Sequence, residues 1–258
     1  MKLATYADGS RDGHLVVVSR DLTQAHHATG IATRLQQVLD DWGFLAPQLE
    51  DLAVQLNHGK LRHAFPFEPA KCLAPLPRAY GWAVVGADGA VHREAGHFSG
   101  AHQPLRAAAA AEPALAAIGG DLNAASEPGA ALDALRLLTL AVDWRLDGEL
   151  MATHAAPVAV TPDELGDGWQ RGQLQARLTA LHNGSKLAPR DVTAAPGDAL
   201  ARVARLRALR AGQVVGCALG ALDLTLAPGD SLHLDLKTAE GLHSLFGAID
   251  IDLGGLPA

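Results

Sequence analysis

The chain has 258 residues, a formal net charge of −7, 48% hydrophobic and 19% charged residues. That size and composition give a globular protein with one large core, or a small domain joined to a larger one, and exclude intrinsic disorder. No basic cluster exceeds one helix face, and no run approaches the ~20 apolar residues of a membrane span, so neither nucleic acid nor membrane is expected as a partner.

The pattern opens on a hairpin, with residues 2–7 as one strand, a polar turn at Asp8-Gly9, and residues 14–19 as the return strand. Ile31, Leu35, Val38, Leu39 and Trp42 have helical spacing, with Gly43 as the stop. A second helix starts at Pro47, turns Leu49, Leu52 and Leu56 inward, and closes at Asn57-His58-Gly59. Pro66, Pro69, Pro75 and Pro77 make residues 64–78 an extended linker. Residues 80–93 form a hairpin that turns at Asp88-Gly89. After a weakly patterned stretch, a strand over 115–118 ends at Gly119-Gly120. Leu132, Leu135, Leu138 and Val142 predict a helix over 130–142, ending at Asp143. Residues 157–160 are a short strand, Thr161-Pro162 starts a helix, and Asp198 caps another that reaches Gly212. Leu222, Leu224 and Leu226, then Leu232, Leu234 and Leu236, alternate with polar residues around Pro228-Gly229-Asp230, so the tail is β, closing with a strand over 245–253.

The N-terminal segment has no apolar signal core. Cys72 and Cys217 lie far apart and form no Cys-x-x-Cys, so they read as reduced thiols in a cytoplasmic protein. The chemistry-bearing residues are Asp88, His92 and Glu94, followed by Glu112 and Asp143. Carboxylates from three segments with a histidine are what a hard divalent cation and an adjacent general base require. Each also has a plainer reading. Asp-Gly is a standard hairpin turn. Glu112 precedes Pro113, which holds it extended, as in a solvent-facing loop. Asp143 at a helix end opposes the dipole, with Arg145 near enough to neutralise it. His92, His97 and His102 are spaced by five, which fits neither helix nor strand and favours an exposed loop over a zinc site. Arg202, Arg205, Arg207 and Arg210 could attract an anionic substrate or be a solvated helix face.

Several segments together resemble bacterial members of the fumarylacetoacetate hydrolase family. They are residues 1–13, His63-Ala64-Phe65-Pro66-Phe67, the stretch from Ala74 through Ala79-Tyr80-Gly81-Trp82, the stretch from Pro157 through Pro162-Asp163-Glu164-Leu165-Gly166, and Ala227-Pro228-Gly229-Asp230. The resemblance is nearly continuous over 1–82, patchy over 83–156 and moderate beyond. It implies an α+β, mainly β fold: a mixed β-roll over residues 76–258 behind a small N-terminal α+β domain over residues 1–75. Such proteins are usually dimeric, so a homodimer, or a heteromer with a related subunit, is expected. Members cleave, hydrate, decarboxylate or isomerise 2-oxo and diketo acids with Mg²⁺, Mn²⁺ or a similar ion held by carboxylates.

On this resemblance Asp88, Glu112 and Asp143 are the metal ligands, and His92, oriented by Glu94, is the catalytic base. The chain departs from the family pattern at several points. Asp88 falls late after Trp82, Ala114 replaces the second carboxylate of a Glu-x-Glu pair, Leu150 stands for a lysine, and Gly216-Cys217-Ala218 lacks a threonine. Loss of one carboxylate weakens capture of a hard cation, and water cannot replace its charge. Two functions follow. One is a family fold with an eroded metal site, acting as a non-catalytic or weakly active subunit or small-acid binder. The other is a divalent-metal-dependent C–C hydrolase, hydratase or decarboxylase for a 2-oxo or diketo acid. The combined losses favour the first.

Overall fold

The structure, a computed structural model, describes residues 1–94, 97–106 and 108–254, without the side chains of Arg93 and Glu94. The opening hairpin forms as its alternation demands: β1 (Lys2–Tyr6) and β2 (His14–Val18) pair antiparallel with Leu3 opposite Val17. β3 (Gln24–His27) adds to β2; its Gln-Ala-His-His sequence has no alternation to betray it. α1 (Leu35–Asp40) and α2 (Trp42–Asn57) follow. The break between them falls at Asp41, not at Gly43, and Pro47 lies inside α2 rather than at its start. A proline that early forfeits a single intrahelical hydrogen bond. Residues 64–78 are extended as the prolines require, but they are pinned to the sheet. β4 (Phe65–Pro66) pairs with β3, and β5 (Cys72–Leu73) pairs with β1 across a 3₁₀ turn at Pro69–Lys71.

β6 (Gly81–Val85) and β7 (Val91–Glu94) make the expected hairpin, with Gly89 at φ 77° in its turn. β8 (Ser99–Gly100) and β9 (Ala110–Gly119) come next. The helix expected over 130–142 is not there. α3 (Pro128–Asp133) is short, and β10 (Leu135–Leu146) carries the apolar run as a strand. β10 is buried on both faces, so its sequence is nearly all apolar and its period of two is hidden; a continuous run of this kind reads equally as helix or central strand. Asp143 therefore sits within a strand, and no helix dipole acts on it.

β11 (Glu149–Ala155) and β12 (Val158–Val160) precede a 3₁₀ segment, Pro162–Gly168. β13 (Trp169–Gln170), β14 (Gln173–His182), β15 (Ser185–Lys186) and β16 (Arg190–Ala194) lead to α4 (Pro196–Ala204). Asp198 lies in the first turn of α4 rather than at its cap, and α4 ends eight residues before Gly212. β17 (Gln213–Ala218), β18 (Ser231–Thr238) and β19 (Ile249–Asp252) complete the chain. The Leu222–Leu226 run is not a strand, although the amides of Leu222 and Leu226 donate to the carbonyls of Ala111 and Ala109.

The larger sheet runs β4-β3-β2-β1-β12-β10-β9-β17-β6-β7, with β5, β8 and β11 attached. It is mixed: β17 lies parallel to β6, and β8 parallel to β11. The smaller sheet runs β13-β14-β18-β19, with β15 and β16 on β14. One core fills the space between the sheets, built around Leu115, Leu140, Trp144, Leu178, Leu234 and Phe246. A second covers the other face of the larger sheet, where Leu3, Leu15, Leu137 and Trp82 join Val38 and Leu49 of the helices. The result is the mainly β mixed roll with a small N-terminal α+β part that the sequence suggests. Leu232, Leu234 and Leu236 are all buried inside the subunit's own core. Among the described residues no helix is long and apolar enough to cross a membrane.

Candidate functional site

The pairing of β9 with β10 sets Glu112 opposite Asp143 and Ala114 opposite Ala141. β11 brings Thr153 opposite Asp143, and β17 sets Gly216 between Ala116 and Val84 of β6. Residues two apart on a strand share a face, so Glu112, Ala114, Ala141, Asp143 and Thr153 all project to the side where Trp82 lies.

Asp143 is only 3% exposed. Its two carboxylate oxygens accept from the Trp82 indole N–H at 3.1 and 3.2 Å, and Oδ1 also accepts from the Thr153 hydroxyl. The indole lies flat enough over Gly216 that a Cβ there would come within 2.4 Å of ring atom Cη2. Only glycine admits this approach. Phe98 meets the indole edge-on, with ring centroids 5.3 Å apart. A space of about 10 Å³ beside Phe98, lined by Ala116, Thr139, Ala155 and Val214, is at the lower limit for a single water molecule.

Glu112 is partly exposed and accepts from Arg145 Nε at 2.7 Å. Asp88 is exposed at the hairpin tip, where its Oδ1 accepts from the amide of Ala90 at 2.9 Å. The same tip is tied to α4, since Arg202 Nε donates to the carbonyl of Gly89 at 2.6 Å. His92 is exposed on the edge strand β7, opposite Val84. The side chain of Glu94 lies outside the described residues; its backbone pairs with Trp82. The histidine tract does not converge: His97 bridges to Arg78, and His102 lies 3.8 Å from Asp250.

Thus Glu112 and Asp143 come opposite each other, and Asp88 stands apart, held in its own turn. Among the described residues no three His, Cys, Asp or Glu side chains gather into a group able to hold a metal ion. A hard cation needs several oxygens with free lone pairs aimed at one point. Among the described residues the Asp143 oxygens face an indole and a hydroxyl, and Glu112 faces a guanidinium, so the described side chains do not by themselves make a carboxylate cage for a divalent ion.

Two features escaped the sequence reading. Thr153 carries no motif, and its role comes from a register that pattern does not reveal. His154, the next residue, is 1% exposed on the opposite face of β11. Its Nε2 donates to the carbonyl of Gln103 at 3.0 Å, and the edge of its ring meets Trp144 at a centroid distance of 5.9 Å. Nδ1 has no hydrogen-bond partner among the described residues, and burial pushes the imidazole down to about 4. In contrast, His233 donates through Nδ1 to Asp250 at 2.5 Å, and that hydrogen bond raises it above the ordinary histidine value.

Residues 1–78 match the family model for fumarylacetoacetase N-terminal domain 2. No curated protein matches the chain. Several solved structures share its architecture from end to end. Maleylpyruvate hydrolase from Sphingobium sp. SYK-6 superposes with a TM-score of 0.75 at 16% identity, covering 99% of this chain and 100% of that one. The same hydrolase has been solved in complex with a manganese(II) ion and pyruvate. Fumarylacetoacetate hydrolase from psychrophilic Exiguobacterium antarcticum gives 0.70 at 17% identity, covering 99% and 100%. A 2-hydroxyhepta-2,4-diene-1,7-dioate isomerase from Mycobacterium marinum gives 0.62 at 15% identity, covering both chains fully. At these identities the likeness is one of fold. Residues 1–78 therefore resemble a fumarylacetoacetase N-terminal domain, and the chain over its whole length has the fold seen in maleylpyruvate hydrolase and fumarylacetoacetate hydrolase.

Proposed function

We propose that this protein is a non-catalytic or weakly active member of that fold, acting as a subunit or small-acid binder, with its metal position filled by a side chain. The observation that carries this reading is the Trp82 indole, which donates to Asp143 and covers Gly216. An indole in that place supplies a neutral donor where a cation would need acceptors. Ala114 adds no carboxylate beside it, and Glu112 already faces Arg145. The second reading, a metal-dependent hydrolase, hydratase or decarboxylase acting on a 2-oxo acid, draws its support from the maleylpyruvate hydrolase of the same fold, solved with manganese(II) and pyruvate. In that reading His92 would be the general base and Glu94 would orient it, a role worth roughly 10²- to 10⁴-fold in rate.

Calorimetric titration with Mn²⁺ and Mg²⁺ at neutral pH separates the two. We expect no saturable micromolar binding, and no metal-dependent turnover of acylpyruvates or oxaloacetate above the free-metal background. Ala114→Glu alone should not create a site while the indole stays in place. Micromolar Mn²⁺ affinity in the wild type, with turnover lost in both His92→Ala and Asp143→Ala, would establish the enzyme reading instead.

A further inference from the structure

A cleft of about 1020 Å³ shares no residue with the Trp82–Asp143 face. Its walls come from the start of β1, the turn between β2 and β3, the end of α2, the 3₁₀ segment 162–168 and the turn that follows β18. That volume is enough for a metabolite-sized ligand. At its base is Lys2, a charged side chain on the buried strand β1 and only 4% exposed.

An ammonium carries three N–H donors, and a buried one needs partners for them. Among the described residues the one hydrogen bond of Lys2 Nζ goes to the carbonyl of Leu245, at 3.1 Å. The inner carboxylate of the cleft, Glu164, and the exposed Asp21 near its rim are both committed elsewhere, Glu164 also lying 3.3 Å from the Met1 ammonium. Glu164 accepts from Arg20 Nε and Nη2 at 2.9 and 3.1 Å. Asp21 Oδ1 accepts from the hydroxyls of Ser19 and Thr23. Burial outweighs the attraction of these acids and pulls Lys2 below the ordinary lysine value, the direction expected of an ammonium short of anionic contact. Glu240 and Asp167 are exposed and lie on the cleft wall rather than at its base.

We propose that this cleft binds a small polar carboxylic acid, with the carboxylate seated on Lys2 Nζ and its other polar groups against the turn from Thr238 to Ser244. A carboxylate supplies the charge and the acceptors that the protein leaves unprovided at Lys2. A cationic ligand would instead have to sit beside Lys2 and Arg20.

The test is calorimetry of the full chain with succinate as the anionic probe and putrescine as the cationic one. Succinate should bind saturably and putrescine should not. Lys2→Met should weaken succinate by about tenfold, the worth of one charge-assisted hydrogen bond. Glu240→Lys, on an exposed residue, should strengthen it about two- to threefold at low salt, because a wall charge tunes the local potential. If Lys2→Met does not fold, acetylation of Lys2 in the wild type, measured against exposed Lys60, should slow with succinate and not with equal chloride. Binding of putrescine but not succinate overturns the proposal. So does succinate affinity unchanged in Lys2→Met, or a Lys2 acetylation rate indifferent to succinate. The proposal gives a place to the small-acid binding named in the proposed function; none of these readouts involves metal or His92, so failure here is distinct from failure of the reading of the metal site.

Discussion

Replacing Trp82 with alanine is expected to lower the unfolding free energy by about 3–5 kcal/mol, the range for deleting a large buried aromatic. The indole is 2% exposed, meets Phe98 edge-on, and covers Gly216 so closely that no other residue there would leave it in place. Its removal also strips Asp143 of a donor in a site where that carboxylate is 3% exposed. Trp82→Phe separates the two contributions. It keeps most of the packing and loses the hydrogen bond to the carboxylate, so about 1–3 kcal/mol should go. Denaturant unfolding monitored by circular dichroism reads both variants. A Trp82→Ala protein within 1 kcal/mol of wild type by the same yardstick would mean that the indole is not what fills this face. In the opposite direction, Gly216→Ala should destabilise by about 1–3 kcal/mol, because its Cβ would push the ring out of position.

A second large effect is expected in acid, from His154. Its folded value of about 4 lies below the ordinary 6.5, so the unfolded chain takes up a proton that the native protein refuses. The stability held by the neutral imidazole is therefore intact above about pH 6.5 and is lost progressively as pH falls toward 4. The loss levels off below that, at about 3 kcal/mol in total. His27, also lowered by burial, adds in the same direction. His233 works oppositely: its pairing with Asp250 is fully present below the ordinary histidine value and is lost as pH rises through its raised one. His154→Phe isolates the buried group. At neutral pH it should cost roughly 1 kcal/mol through the lost hydrogen bond to Gln103. Near pH 4.5 it should be more stable than wild type, because phenylalanine has no proton to bind. Urea midpoints that run parallel for the two proteins from pH 7.5 to 4.5 would rule out a buried neutral His154.

Much of this protein was legible in the chain itself. The opening hairpin, the hairpin turning at Asp88-Gly89, the short strand at 158–160 and the alternation of Leu232, Leu234 and Leu236 all stand in the structure where local pattern places them. Each presents one buried and one polar face, or a turn residue with a defined φ, and those signals are local. The resemblance to the fumarylacetoacetate hydrolase family rested on linear motifs, chiefly in residues 1–82, and the match to residues 1–78 falls on the same stretch. What the tertiary structure decided is everything that depends on burial from two sides. β10 loses its alternation because cores press on both of its faces, so Leu135–Leu146 looks helical until its neighbours are known. The partners of Asp143 come from strands 61 positions earlier and 10 positions later, joined by register and side-chain reach that no motif encodes. Which donors a buried carboxylate meets is set by the side chains that the sheet brings over it, and that is a property of packing, not of spacing.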